Sequence, residues 1–190
     1  MNTRISPAPK VTDSLFFAVM PDAPAIARIE ALMQRVRAVH GLRGKAMEPE
    51  RLHVTLHHLG SHAGVPGEVL RQAEQAAQAV VAQPFEITFD RVASFAKPRN
   101  SPLVLQGGEG VAGVEALQQT LGRALHGAGL GARVQPRFTP HLTLMYDDAC
   151  VPEEPVEPVG WTVHEFVLVR SLLGQRRHVP LARWSLGGAA

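Results

Sequence analysis

R-L-H-V-T-L-H-H-L-G, residues 51–60, and T-P-H-L-T-L-M-Y, residues 139–146, contain the same pattern of His, any residue, Thr and Leu. The first copy starts at His53 and the second at His141, 88 residues further along the chain. In both copies apolar residues alternate with the His and the Thr, which is the pattern of a half-buried β-strand. We therefore predict two corresponding strands, one in each half of the chain, that present the same pair of side chains.

Each copy places a histidine and a threonine where both can reach one anion. Residues two positions apart on a strand point to the same face, so His53 shares a face with Thr55 and His141 with Thr143. The members of a pair stand roughly 6.5–7 Å apart, which suits two oxygens of one phosphate group. An imidazole can act as acid or base near neutral pH, and an oriented hydroxyl can donate to a phosphate oxygen. Two facing pairs would therefore supply an acid, a base and two donors for phosphodiester cleavage, with no metal and no other cofactor.

The composition is that of a folded domain with a mildly basic balance. The 190 residues are 45% hydrophobic and 19% charged, with a formal net charge of +2. We predict a disordered, proline-rich tail at residues 1–12 and a single domain over residues 13–190. The charge permits an anionic partner without demanding one, and arginines suited to phosphate recognition are frequent late in the chain, among them Arg137, Arg170 and Arg176.

The sequence also bears on the compartment. Cys150 is the only cysteine, so no disulfide can form within the chain, and a reducing compartment is favoured. No apolar run reaches the roughly 18 residues needed to span a membrane. Pro7 and Pro9 interrupt any signal-peptide pattern at the N-terminus. These features predict a cytoplasmic protein without membrane contact, and we expect a monomer.

The order of apolar and periodic segments predicts β-α-β-α-β-β-α-β-β-β, which is an α+β fold. The apolar run at residues 14–20 is predicted to be a strand that is buried on both faces. Asp22 is predicted to cap a helix that continues to about His40. The acidic, proline-rich residues 147–160 are predicted to form a linker before two last strands at residues 162–170 and 179–186.

Other residues near the motifs are candidates for contacts with a substrate. His57 falls on the predicted face of His53 and Thr55, so it is predicted to line the site, or else to be a partly exposed strand residue. His58 points the other way and is predicted to be packed. Arg137, just before the second motif, is predicted to contact phosphate or to pair with a carboxylate.

Two further groups of residues could have a functional role but also fit an ordinary structural one. Lys97 and Arg99 lie in a predicted turn and either meet an RNA backbone or form a solvated loop. The histidines at positions 53, 57, 58 and 62 could suggest a metal site. However, His53 and His57 would lie about 13 Å apart on an extended strand, too far to share a tetrahedral ion, so no metal site is predicted.

The paired motifs make this sequence resemble the 2H phosphoesterase superfamily, and more narrowly its LigT-like branch of RNA 2′,3′-cyclic phosphodiesterases, also called 2′-5′ RNA ligases. Further matches are L-F-F-A-V-M-P at residues 15–21, P-E-R-L-H at residues 49–53 and P-R-F-T-P-H at residues 136–141. The resemblance covers residues 15–186. It implies a two-lobed fold of antiparallel sheets with outer helices around a central cleft, the lobes being related by a pseudo-two-fold axis.

The resemblance also implies a role for each of the four motif residues. His53 is expected to be the general acid on the leaving ribose oxygen, and His141 the general base on water. Thr55 and Thr143 are expected to bind the phosphate. The implied substrate is RNA with a cyclic phosphate end or a small cyclic nucleotide, and the product is a 2′-phosphomonoester.

Two other functions stay open on the sequence. Met145 and Tyr146 follow the second motif where Ala-Arg is common in the family, which favours a small substrate over a polynucleotide. The same departure is compatible with a module that binds RNA or a nucleotide without useful catalysis. The reverse reaction, ligation of RNA ends through a 2′-5′ linkage, would use the same four side chains.

Overall fold

A computed structural model describes residues 10–187, and within this range the chain forms three α-helices, eight strands and three short 3-10 turns. The helices are α1 (Ala23–His40), α2 (Gly67–Gln78) and α3 (Ala112–Gly127). The strands are β1 (Asp13–Val19), β2 (Val54–His62), β3 (Phe85–Ser94), β4 (Ser101–Gln106), β5 (His141–Asp147), β6 (Glu154–Val163), β7 (Glu165–Leu172) and β8 (Arg177–Ser185). No helix in the described range is both long and apolar enough to cross a bilayer. Residues 1–9 of the tail predicted to be disordered lie outside the described residues.

The strands form one antiparallel sheet in the order β6-β3-β4-β5-β2-β1-β7-β8. The motif strands β5 and β2 lie at its centre, and each has three further strands on its outer side. The central junction is short: β2 and β5 pair only through Val54 and Leu142, whereas β4 and β5 share six pairs. The antiparallel sheet with outer helices confirms the predicted α+β class, while the two lobes and their symmetry axis stay a prediction.

The helices pack on one face of the sheet. Ile29 of α1, Ala73 of α2 and Leu117 of α3 belong to one buried cluster that also includes Leu15 and Phe17 of β1. A second, smaller cluster on the opposite face is made of Phe16, Ala18, Val167 and Val169, with Met20 packed against it. Every residue of β1 is buried, which confirms the strand predicted from its uninterrupted apolar run. The second face is the one that carries the candidate site.

The ends of α1 follow from two residues of the sequence. The Asp22 carboxylate accepts a hydrogen bond from the backbone N–H of Ala25 at 2.8 Å, as predicted for a helix cap. At the other end, Gly41 adopts a left-handed conformation with φ of 62°, which ends the helix after His40. Both ends therefore lie where the sequence predicts them.

The predicted linker at residues 147–160 is wrong for half of its length, because β6 begins at Glu154. β6 pairs with β3 on one side and forms one edge of the sheet. Pro155 and Pro158 suggested a linker, but an edge strand tolerates proline because one of its sides makes no ladder hydrogen bonds. Residues 162–163 accordingly end β6, and β7 starts at Glu165.

Candidate active site

The two motifs meet at the centre of the sheet, at the pair formed by Val54 and Leu142. Both of these side chains are fully buried on the helix side of the sheet. The residues that flank them along each strand are partly exposed and point to the opposite, helix-free face. These flanking residues are His53, Thr55, His141 and Thr143.

The antiparallel register arranges the four motif side chains at the corners of a quadrilateral. Extended by one residue on each side of the Val54–Leu142 pair, this register sets Thr55 opposite His141 and Thr143 opposite His53. Directly opposite residues have Cβ atoms about 4.5–5.5 Å apart, and diagonal neighbours about 7–8 Å. The two imidazoles are the diagonal pair, so one anion between them can touch both rings and both hydroxyls.

The same local hydrogen bond orients both rings. His53 Nδ1 donates to the carbonyl of Arg51 at 2.6 Å, and His141 Nδ1 donates to the carbonyl of Thr139 at 2.8 Å. Because a carbonyl can only accept, Nδ1 carries the proton and Nε2 of each neutral ring is left as the acceptor. Each histidine thus presents Nε2 as the atom that can take or give a proton.

Aromatic side chains surround both imidazoles. The ring of Phe16 stacks on that of His53, with centroids 4.9 Å apart, and the ring of His178 approaches His53 edge-on at 5.1 Å. Phe95 packs edge-on against His141 at 5.0 Å. These contacts restrict both rings and remove water from one side of each.

Burial lowers the pKa of His53 below its ordinary value, because the charged imidazole would lose hydration. The hydrogen bond to the Arg51 carbonyl raises this pKa in part, while the positive charges of Arg51 and His141 lower it further. Burial and the charge of His53 also lower the pKa of His178 to about 4. Both rings are therefore neutral at neutral pH in the unliganded protein, and an anion beside His53 would favour its protonated form.

A bulge in β2 reverses the predicted orientations of His57 and His58. β1 pairs Phe17 with His57 but Ala18 with Thr55, so one residue of β2 is extra at this point. His57 consequently turns toward the helices, where it is 3% exposed and its Nε2 donates to the carbonyl of Gln118 in α3 at 2.8 Å. The predictions that His57 shares a face with His53 and that His58 is packed are both wrong.

His58 takes the place on the open face that was predicted for His57. It pairs with Phe16, whose ring lies against His53, and its Nε2 is 2.8 Å from Ser14 Oγ. The side chain is exposed. Partial desolvation of the ring lowers its pKa, and the charges of His62 and Arg133 lower it further.

A cavity of about 250 Å³ adjoins the motif residues Thr55 and His141. Arg137 is exposed and lines it, and Phe138 and Gln118 form part of its walls, while a contact between Arg137 and phosphate stays a prediction. His57 lies at the inner wall of the same cavity. Among the predicted candidates, Arg137 therefore joins the motif residues, whereas the ring of His57 is turned toward α3.

The remaining candidates lie elsewhere. Lys97 and Arg99 occupy an exposed turn between β3 and β4 and do not line this cavity. His178 and Phe95 were not predicted, because neither belongs to a motif and both reach the motif histidines only through the folding of other strands. Within residues 10–187, no group of three or more His, Cys, Asp or Glu side chains is placed to hold a metal ion.

Comparison with known proteins gives a consistent result. The sequence model of a family described as "2′-5′ RNA ligase superfamily" matches residues 21–175, a range that includes both motifs. A protein of Archaeoglobus fulgidus named RNA 2′,3′-cyclic phosphodiesterase is 32% identical over 130 residues, which are 68% of this chain and 70% of the relative.

Solved structures share the fold over nearly the whole chain. Escherichia coli LigT complexed with 3′-AMP matches with a TM-score of 0.70 and 26% identity, over 94% of this chain and all of that one. The same protein complexed with phosphate gives a TM-score of 0.70 at 26% identity, over 93% and 99% of the two chains. The protein TT0787 of Thermus thermophilus gives 0.69 at 27% identity, over 93% and 100%.

Proposed function

This chain belongs to the 2′-5′ RNA ligase superfamily of 2H phosphoesterases, and we propose that it hydrolyses 2′,3′-cyclic phosphodiesters to 2′-phosphomonoesters without a metal ion. The proposed substrate is RNA with a cyclic phosphate end or a small cyclic nucleotide. The observation that carries this proposal is the pairing of Val54 with Leu142, which puts two histidine–threonine pairs around one point on an open face. The activity named for the Archaeoglobus relative supports the choice of substrate.

The first half of the proposed reaction belongs to His141. Its Nε2 takes a proton from water, and the water oxygen forms a bond to phosphorus. The hydroxyls of Thr55 and Thr143 donate to the two non-bridging oxygens, where negative charge grows in the transition state. The hydrogen bond from Nδ1 to the Thr139 carbonyl keeps the accepting nitrogen aimed at the water.

The second half belongs to His53, which lies diagonally opposite. The bond between phosphorus and the ribose 3′ oxygen breaks, and His53 Nε2 gives its proton to that oxygen, leaving a 3′-hydroxyl and a 2′-phosphate. Burial opposes the charged form of His53 in the unliganded protein. The negative charge of the bound phosphodiester restores that form, so the acid becomes protonated when substrate arrives.

The test is to replace each histidine with alanine and to measure hydrolysis of 2′,3′-cyclic nucleotides and of cyclic-ended RNA. His53→Ala and His141→Ala should each lower kcat/KM by about 10²–10⁴-fold, the range for a positioned acid or base. His164→Ala is the matched control, since this exposed histidine lies between β6 and β7. Circular dichroism should show the same fold in all three variants.

Full activity in either site variant would contradict the proposal. Activity abolished by a chelator would contradict the metal-independent mechanism. Tight binding of the cyclic substrate without turnover in the wild type would instead indicate a binding module, and joining of RNA ends would indicate ligation. As part of the same proposal, residues 13–190 form one bilobal domain that acts in the cytoplasm. We also propose that the protein is a monomer, and light scattering on the purified chain tests this.

A further inference from the structure

A second cavity, of about 190 Å³, lies against Arg51, which precedes His53 by two residues. Lys45, Arg51 and Arg176 line it, together with Glu48 and Tyr146. Three of the seven residues that line it are cations, and these three come from the segment before β2 and from the turn between β7 and β8. No motif links them in the sequence, so only the fold brings them together.

One carboxylate does not neutralise these cations. Glu48 lies 2.9 Å from Lys45 Nζ and 3.0 Å from Arg51 Nη1. The hydrogen bond from Lys45, with those from the Glu48 backbone and Arg51, lowers the pKa of Glu48 to about 2, so it is ionised at neutral pH. Arg176 forms no ion pair with any described residue. The cavity thus keeps two uncompensated positive charges, which favour an anionic occupant.

Arg51 links the cavity to His53, because its side chain lines the cavity and its backbone carbonyl contacts the His53 ring. The carbonyl of Arg51 holds His53 Nδ1, so the Arg51 side chain starts two residues from the acid. The charges of Arg51 and Glu48 also act on His178, whose ring lies 5.1 Å from that of His53. Arg51 and His178 therefore connect this cavity to His53, which the proposed function places beside the oxygen that leaves from the cyclic phosphate.

The turn between β7 and β8 holds Arg176 in an unusual backbone conformation. Its φ is 52°, which is uncommon for a residue other than glycine, and Gly174 in the same turn has a φ of 80°. Two residues further on, His178 packs against His53. The same hairpin therefore places one side chain in the cavity and another against the candidate acid.

We propose that this cavity binds the phosphodiester that precedes the cyclic end, so that the enzyme prefers a cyclic-ended oligonucleotide to a cyclic mononucleotide. This inference rests on the proposed function, which puts the ribose on the side of His53. It runs against the expectation from Met145 and Tyr146 that a small substrate is favoured. The cations absent after the second motif are supplied instead by Lys45, Arg51 and Arg176.

The experiment compares three substrates at low salt: a 2′,3′-cyclic mononucleotide, a dinucleotide with the same cyclic end, and that dinucleotide with a neutral methylphosphonate as its internal linkage. Wild type should favour the charged dinucleotide by about tenfold or more in kcat/KM, as expected for charge-assisted hydrogen bonds. The methylphosphonate should lose this preference. Added salt should weaken it, since the contact is ionic.

Arg176→Gln should reduce the preference for the charged dinucleotide to within about threefold of unity. Arg177→Gln is the matched control, because this neighbour is exposed, lines neither cavity and keeps the same net charge change. Binding of the 2′-phosphate forms of the dinucleotide and the mononucleotide is measured alongside by calorimetry. That comparison tests the phosphate site without any turnover.

An unchanged dinucleotide preference in Arg176→Gln, in both turnover and binding, would overturn the inference, as would equal activity on the methylphosphonate. If His53→Ala then still abolished hydrolysis, the proposed function would stand without this subsite. Conversely, a dinucleotide preference in binding that Arg176→Gln removes, in a protein that hydrolyses no cyclic substrate, would support the phosphate site while the proposed function failed.

Discussion

Both candidate histidines are oriented by the carbonyl two residues before them. This hydrogen bond is local, so it can form in each copy of the motif independently of where the strand lies in the sheet. The four-residue pattern therefore predicts that His53, His141 and their threonine partners lie on one face of the sheet, while their roles stay a prediction. The free nitrogen of each ring could not be predicted in the same way, because a backbone carbonyl leaves no signature in a sequence.

The lowered pKa of His53 predicts how activity changes with pH. We expect kcat/KM to be bell-shaped, with its lower apparent pKa below 6.5, the ordinary value for histidine, because burial disfavours the charged ring. The two apparent values belong to the histidine pair and are measured from pH 4 to 9. Titration of the His53 ring by NMR, assigned with His53→Asn, should show its pKa rising when inorganic phosphate is added. A ring that titrates at or above 6.5 without phosphate would contradict this account.

The two threonine hydroxyls are expected to act in the transition state. Thr55→Val and Thr143→Val keep the shape and the strand preference of the side chain but remove the donor. Each should lower kcat by about 10²–10³-fold, as found when one donor to a developing oxyanion is lost. Thr162→Val on the edge strand β6 is the control. Losses confined to KM would show that the hydroxyls bind substrate and transition state equally.

At the level of elements, the bulge of β2 between Thr55 and His57 separates the sequence prediction from the structure. The alternation rule holds from Val54 to Leu56 and then fails, because two residues of β2 oppose one of β1. Sequence patterns do not reveal such a bulge, since His57 and His58 are chemically the same residue. The prediction also failed at β6, where the prolines of an edge strand were interpreted as part of a linker.

The bulge predicts that His57 stabilises the fold and does not reach the phosphate. His57→Leu removes the hydrogen bond to the Gln118 carbonyl, so the free energy of unfolding should fall by about 1 kcal/mol. Its effect on kcat/KM should be far smaller than that of His53→Ala. Urea denaturation and steady-state kinetics measure the two quantities. His58→Leu, at the exposed neighbouring position, is the matched comparison.

The opposite pattern would restore the original assignment of His57. If His57→Leu removed most turnover while unfolding was unchanged, the ring would have to leave α3 and contact the substrate. The Gln118 carbonyl would then be a resting partner only. Comparing both variants on the same substrate separates these outcomes.

At the level of the whole molecule, the site depends on the single pair through which the two central strands meet. The sequence predicted that each half would supply one motif, and the sheet order places both motif strands at its centre. The sequence could not predict which other side chains surround the two motifs. His178, Phe95 and the cations of the second cavity come from separate strands and turns, and only the completed fold brings them to the same face.

Packing of the histidines in the folded protein also makes folding depend on pH, because the folded state binds fewer protons than the unfolded state. Burial lowers the pKa of His53, His57, His58 and His178 in the folded chain, in the last residue to about 4. In the unfolded chain these rings titrate near 6.5. Between those values the unfolded state binds more protons than the folded state, so the free energy of unfolding must fall as the pH falls.

Stability should therefore be constant with respect to these groups above about pH 7.5 and should decrease from about pH 6.5 toward pH 4. Carboxylates with lowered pKa, such as Asp13, add a further loss only at more acidic pH. Urea denaturation at half-unit steps measures the slope, and His178→Gln should make it shallower by removing one titrating ring. Phosphate should offset the loss, because it binds the protonated site of the folded protein. If the free energy of unfolding did not change between pH 7 and pH 5, with or without phosphate, these rings would have ordinary pKa values. The histidines on the open face would then be much better hydrated than their packing implies.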